Sequence, residues 1–279
     1  MKTLDNLEPQ WGSSYRLMAA EKWKAKSAAM GRDVTEALVN YARPQPGMRV
    51  LDLASGTGEP AISLASAVGS AGHVTALDLS AELLETAAER ARQRGLTNFS
   101  THKGDAHELP FPNQSFDLVT SRFGVMFFQD GVKALREVHR VLKPGARACF
   151  LAWGPFDQPF WVSMWGVVHR FAGGPLTAPN QDPCRYAVPG SLSEVLHQAG
   201  FHPVDEETKT LPWTWPGTAA EIWELTQAVS TPFLPMLQRV PAKQRSQVDQ
   251  EVIRAVQQYA DGESIRFTAV VVLASGVKR

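Results

Sequence analysis

Only two cysteines, Cys149 and Cys184, occur in 279 residues. That is too few for a disulfide framework or a cysteine metal cluster, so both read as buried or incidental thiols and no metal is expected. Neither sign of charge is in excess, 28 Lys and Arg standing against 28 Asp and Glu, which excludes a global field able to draw in nucleic acid or an anionic membrane. No stretch is apolar and long enough to span a bilayer, and Met1 to Gln10 lack the uninterrupted apolar core of a signal peptide. A cytoplasmic protein without a membrane span is therefore expected. Internal repeats and low-complexity tracts are missing too, and 44% apolar residues suffice for a sizeable core.

What is present centres on Val50 to Pro60, Val-Leu-Asp-Leu-Ala-Ser-Gly-Thr-Gly-Glu-Pro, an apolar strand that runs into a glycine turn and then a helix. Gly56 and Gly58 permit backbone conformations that a side chain would obstruct and let the chain approach a ligand closely. Pro60 suits the first turn of a helix reaching about Val68, where its missing amide needs no partner. Asp52, near the strand's end, can accept a hydrogen bond from a ligand amine. Asp78 ends a second strand, His73 to Leu77, where a ribose would lie. The turn is shorter than the fingerprint of NAD-binding domains, with Ala61 at the nearest third-glycine position, and no Tyr-x-x-x-Lys pair occurs to carry dehydrogenase chemistry.

From Arg49 the pattern alternates strand and helix through 49–53, 59–68, 73–77, 81–94, 99–103, 116–120, 131–142 and 146–153, which implies a parallel sheet with helices on both faces. Ser80 is the expected N-cap of the helix from Ala81, Gly95 its stop, and Arg90, Arg92 and Arg94 a solvated helix end. Before the core, Trp11, Tyr15 and Trp23 precede apolar positions Val34, Ala37, Leu38 and Tyr41 at helical spacing. After Trp153 the regular pattern lapses. Gly154 to Pro189 carry Phe156, Phe160, Trp161, Trp165 and Phe171; a helix is expected to Gly200 and a strand over 201–210. A second irregular region, Leu211 to Gly262, carries Trp213, Trp215 and Trp223 with two helices, and an apolar strand over 265–274 closes the chain.

The stretch from Val50 resembles the first motif of class I S-adenosylmethionine-dependent methyltransferases. Further matches follow in order: Val74-Thr75-Ala76-Leu77-Asp78, Gly104-Asp105-Ala106, Leu109-Pro110-Phe111, Ser115-Phe116-Asp117-Leu118-Val119 and Val141-Leu142-Lys143-Pro144-Gly145. Within that class the likeness is nearest to the ubiquinone and menaquinone biosynthesis C-methyltransferase type, through Leu109-Pro110-Phe111 and Ser121 to Asp130. Those enzymes carry an Arg-Asn pair shortly after a Phe-Gly, whereas Phe123-Gly124 is followed here by Val125, Met126 and Phe127.

The resemblance implies an α/β fold, a Rossmann-like, doubly wound, seven-stranded, mostly parallel sheet with its last strand antiparallel and with helical cap insertions. It partitions the chain into a helical lid (1–46), a cofactor-binding core (47–153), a cap insertion (154–187), a core helix and strand (188–210), a second cap insertion (211–263) and the final strand (264–279). It implies S-adenosyl-L-methionine as cofactor. Asp52 and the backbone of Ala54, Ser55, Gly56, Thr57 and Gly58 should hold the methionyl end, with the main-chain carbonyl of Ser121 facing its amine. Asp78 should hold the ribose hydroxyls, Leu79 one face of adenine, Asp105 the adenine amine and the Ala106 amide a ring nitrogen.

Arg122, beside the expected methyl position, can bind or polarise an acceptor, and His169, on the aromatic segment, can take a proton near neutral pH. These two are the catalytic candidates; His107, His139 and His197 read as surface side chains. The caps and the lid are expected to enclose an aromatic-lined acceptor pocket facing Arg122. The expected activity is methyl transfer to an oxygen, carbon or nitrogen of a small, partly apolar or aromatic acceptor, that acceptor being the partner, with a homodimer left open. The competing readings are a cofactor-binding regulatory protein on the same fold and an NAD-dependent oxidoreductase. Nucleic-acid methylation is disfavoured, because Ser121-Arg122-Phe123-Gly124 stands where base-modifying relatives place Asp or Asn, two prolines and an aromatic.

Overall fold

The computed structural model describes Met18 and residues 21–279, so Trp11 and Tyr15 lie outside the described residues. The chain divides into two compact units. One holds residues 32–155, 183–211 and 269–279; the other holds the described residues up to 31 together with 156–182 and 212–268.

The strands of the chain are β1 (Arg49–Leu53), β2 (His73–Asp78), β3 (Phe99–Lys103), β4 (Phe116–Arg122), β5 (Leu142–Trp153), β6 (Val204–Trp215), β7 (Ala260–Asp261) and β8 (Ser264–Val277), β1 to β5 lying in the first unit. Their order in the sheet is β3-β2-β1-β4-β5-β8-β6, with the two-residue β7 pairing to β8. The strands from β1 to β5 pair in parallel and β8 lies antiparallel to β5, the expected mostly parallel doubly wound sheet, with a short eighth strand added. In β1, Val50, Leu51 and Leu53 are wholly buried, because a central parallel strand is covered on both faces by crossover helices. One of these is Ala61–Val68, where Ile62, Leu64, Ala65 and Val68 turn inward. The helix Arg32–Ala42 packs on β4 and β5 of this unit.

Several boundaries move, each for a local reason. Pro60 sits at the cap position just before the helix Ala61–Val68, not inside its first turn. β4 runs two residues past the expected Thr120, because β5 continues to Trp153 and gives Ser121 and Arg122 the partners Phe150 and Leu151. Arg122 is thus the last residue of the strand and not a residue beyond its end. β6 begins at Val204 and runs on to Trp215, placing Trp213 and Trp215, expected in an irregular region, on a strand. The helix Ala81–Gln93 forms as its sequence implies: the Ser80 hydroxyl accepts the Leu83 amide, and Gly95 adopts φ +70°.

The second unit has its own aromatic core. Trp165, fully buried, stacks on Phe233 with ring centres 4.8 Å apart and meets Trp223 edge-on at 5.4 Å. Phe160 contacts Trp161, Trp213 and Phe267. Phe160, Trp161 and Trp165 thus pack against other rings of this unit, each such side chain supplying a large buried area. The helix Ala219–Val229 starts in a capping box between Thr218 and Glu221, and Lys26 pairs with Glu221 at 2.7 Å. Among the described residues no helix is long and apolar enough to cross a membrane.

Candidate functional site

Three carboxylates stand at or just beyond the ends of three neighbouring strands, Asp52 on β1, Asp78 on β2 and Asp105 after β3, which is the end of a parallel sheet where ligands bind. Each is held differently. Asp78 is 8% exposed; its Oδ2 accepts the Gly56 amide and its Oδ1 the Ser80 amide, both at 2.9 Å. Two fixed N–H donors set the carboxylate plane, and each oxygen keeps a second lone pair for a hydroxyl. Leu79, next in the chain, is 57% exposed, an apolar surface suited to one face of a flat ring.

Asp52 is fully buried. Its Oδ1 accepts the Thr120 hydroxyl at 2.6 Å, while Oδ2 is buried with no hydrogen-bond partner. Burial pushes its carboxyl up to about 7, against the pull of the Thr120 and Ser55 hydroxyls and of the Arg122 charge. A buried carboxylate oxygen without a partner is costly, and a ligand ammonium would answer it.

The turn between β1 and the following helix is locked from inside. The Ser55 amide donates to Leu77 O at 3.0 Å and its hydroxyl to Asp52 O at 2.8 Å, and the Gly58 amide donates to Ser55 O at 2.9 Å. Ala54 and Gly56 both adopt φ +52°. A Cβ on Gly56 would meet nothing within 4 Å, leaving open space over the turn, whereas one on Gly58 would sit 2.6 Å from Ile62 Cδ1. Gly56 therefore leaves room for a ligand, and Gly58 makes room for the Ile62 side chain. Arg90, expected to be solvated, instead reaches this turn, its Nη1 donating to Thr57 O at 3.2 Å, while Arg94, exposed as expected, pairs with Glu59 at 2.9 Å. Four residues apart, they share one helix face; Arg92 points elsewhere and pairs with Glu89. That spacing was the signal in the sequence.

Ser121 is fully buried, its hydroxyl donating to Leu53 O at 2.9 Å. Arg122, partly buried, donates from Nη1 to the Thr35 hydroxyl, while its Nε is buried without a hydrogen-bond partner. Burial lowers its pKa, opposed by the charges of Glu59 and Asp52. In the other unit, His169 Nε2 lies 3.0 Å from Gly174 O. A carbonyl only accepts, so Nε2 carries the hydrogen and Nδ1 keeps its lone pair for a proton.

Asp105 is 53% exposed at its side chain and pairs with His107 at 2.6 Å. Desolvation raises its pKa, but the backbone and ring N–H groups of His107, with Lys133, outweigh that and hold the carboxyl below its ordinary value. Ala106, between them, is buried. His107 is therefore no unremarkable surface residue. Asp117 accepts the Arg49 amide at 2.9 Å and pairs with Lys143 at 2.7 Å, a structural role. Among the described residues no group of three or more His, Cys, Asp or Glu side chains is placed to hold a metal ion.

Residues 22–174, more than half of the chain, match the model of the ubiE/COQ5 methyltransferase family. The chain is 47% identical over 176 residues to the ubiquinone/menaquinone biosynthesis C-methyltransferase UbiE of Xanthomonas oryzae pv. oryzae, a match covering 58% of this chain and 69% of that one. It is 38% identical over 129 residues to a demethylmenaquinone methyltransferase of Listeria welshimeri, covering 46% of this chain and 55% of that one. It thus spans about half the length of the Listeria relatives it matches. Among solved structures, a putative methyltransferase from Bacillus halodurans C-125 shares the fold, with a TM-score of 0.56 and 20% identity over 88% of this chain and 98% of that one.

Proposed function

Because the chain belongs to the ubiE/COQ5 methyltransferase family, we propose that it transfers a methyl group from S-adenosyl-L-methionine to an oxygen, carbon or nitrogen of a small, partly apolar or aromatic acceptor. The observation that carries this reading is the row of three strand-end carboxylates, one with a buried orphan oxygen, one locked by two amides beside the exposed Leu79, and one half exposed. An amino acid joined to a nucleoside offers an ammonium, a ribose diol and an adenine amine, one donor for each. On this reading Asp52 and the 54–58 turn hold the methionyl end with the Ser121 carbonyl, Asp78 the ribose, Leu79 and the Ala106 amide the ring, and Asp105 the exocyclic amine.

The cofactor supplies a methyl on a sulfonium, already activated for displacement, so the protein's task is alignment. Positioning of this kind contributes roughly 7 to 11 kcal/mol in well-aligned systems. The fixed turn and the doubly anchored Asp78 provide that rigidity. In this reading Arg122 serves as a charge for an acceptor oxygen and His169 as a proton acceptor at Nδ1. A cytoplasmic location is part of the same proposal.

Incubation with methyl-labelled cofactor and a panel of demethylated naphthoquinols, phenols and amines tests it. The naphthoquinols enter because the Listeria relatives are named demethylmenaquinone methyltransferases. Label should move to at least one acceptor. Alanine at Arg122 or His169 should lower turnover about tenfold or more, while affinity for adenosylhomocysteine changes less than threefold, as expected when a catalytic proton transfer or charge contact is lost. Cofactor binding without transfer to any acceptor would favour the regulatory reading instead.

A further inference from the structure

The pair Asp105 and His107 carries information that the family motif does not, since the histidine follows the Gly104-Asp105-Ala106 match. His107 lies in the first unit with its side chain only 18% exposed. Three contacts fix its ring. Nε2 lies 3.2 Å from the backbone amide of Asp130, Nδ1 lies 2.6 Å from Asp105 Oδ1, and the ring meets Phe128 edge-on at 6.0 Å. An amide N–H can only donate, so Nε2 accepts, the ring is neutral and the hydrogen is on Nδ1, which donates to Asp105. Asp105 Oδ1 also accepts the His107 backbone amide at 2.9 Å. Two donors thus converge on one oxygen, leaving Oδ2 to the ligand.

The support behind this pair is rigid. The Asp130 carboxylate accepts the Lys133 amide at 2.9 Å as N-cap of the helix Gly131–Val141. From the same helix, Glu137 accepts the Leu109 amide and Arg140 donates to the carbonyls of Leu109 and Phe111. One helix therefore holds the 105–111 loop at its histidine and again at its far end.

We infer that His107 is a positioning residue that makes the site selective for a 6-amino purine: by occupying Oδ1 of Asp105 it presents Oδ2 as a fixed, acceptor-only oxygen. An adenine amine donates to such an oxygen. A 6-oxo purine brings a carbonyl, and two acceptors face each other with no hydrogen between them, a mismatch of the kind polar sites reject strongly. This rests on the cofactor reading proposed above and adds to it the residue that sets base selectivity.

The test compares binding of S-adenosylhomocysteine with that of S-inosylhomocysteine, its 6-oxo counterpart, by titration calorimetry on the full chain. Wild type should prefer the adenosyl ligand at least thirtyfold. His107→Phe keeps a ring against Phe128 but removes both polar contacts, and His107→Gln places its amide toward the Asp130 end without the donor to Asp105. Both should lose about tenfold in adenosyl affinity with little change for the inosyl ligand, so that the preference falls below about threefold. His107→Asn, which restores a donor at the Nδ1 position, should recover most of the preference. If a folded Phe or Gln variant keeps the wild-type preference, or loses affinity for both ligands equally, the positioning role is overturned while the cofactor reading stands. Failure of wild type to bind either ligand overturns both.

Discussion

Asp78→Ala lowers affinity for adenosylhomocysteine by about ten- to a hundredfold in a protein that stays folded. The estimate follows from the loss of hydrogen bonds between an ionised acceptor and neutral hydroxyls, worth roughly 1.5 to 3 kcal/mol, in a carboxylate already oriented by the Gly56 and Ser80 amides. Alanine also releases the Gly56 amide, so part of the loss comes from a looser turn. Asp78→Asn is the milder change: its carboxamide oxygen can keep one amide partner, while its NH2 cannot accept from the other amide and the charge is gone. The Asn variant should therefore lie between wild type and Ala. The fold is spared because the Ser80 hydroxyl still caps the following helix through the Leu83 amide and β2 keeps its register with β1 and β3. Calorimetric titration beside a thermal melt checks this, and unchanged affinity in a folded variant would place the ribose elsewhere.

Asp52→Asn should change the pH dependence of both stability and binding. Burial raises the Asp52 carboxyl from its ordinary value of 3.8 to about 7. Between about pH 4 and pH 7 the folded protein thus holds a proton that the unfolded chain has released, and stability falls as pH rises through that window. At about 1.4 kcal/mol per pKa unit, the loss is on the order of 4 kcal/mol, complete above about pH 8 and absent below about pH 4. Asparagine cannot titrate and can still accept the Thr120 hydroxyl, so the variant should lack this slope and be the more stable protein at pH 8. Denaturant unfolding of both proteins from pH 4 to pH 8 reads the difference directly, and parallel curves would contradict it.

Binding carries the opposite sign. A ligand ammonium prefers the carboxylate form, so wild-type affinity for adenosylhomocysteine should rise about tenfold between pH 6 and pH 8, in step with the ionised fraction of a group titrating near 7. Asp52→Asn should bind weakly and without that rise.

The glycine turn, the strand-end acids and the alternation of strand and helix were legible because each is a local pattern: alternating apolar runs, glycines at a turn, and an acid about twenty residues on. The longer reach of β4 was not, since Ser121 and Arg122 join it only by pairing with Phe150 and Leu151 of β5, a register that no local pattern carries. Arg90 was misread as solvated because its match to the helix dipole explained it, while the turn it latches belongs to another element. His107 looked like a surface residue for a similar reason: its two defining partners are a backbone amide 23 residues away and a carboxylate two residues back. The aromatic segment showed that much surface would be buried but not against what, and the rings chose one another.

On the proposed function the three strand-end carboxylates form a site for an amino acid joined to adenosine. Titration of the wild-type chain at pH 8 with adenosylhomocysteine and, separately, with NAD tests it most directly. The account predicts saturable binding of adenosylhomocysteine at one site per chain and no heat from NAD at the same concentrations; saturable NAD binding with no response to adenosylhomocysteine would contradict it.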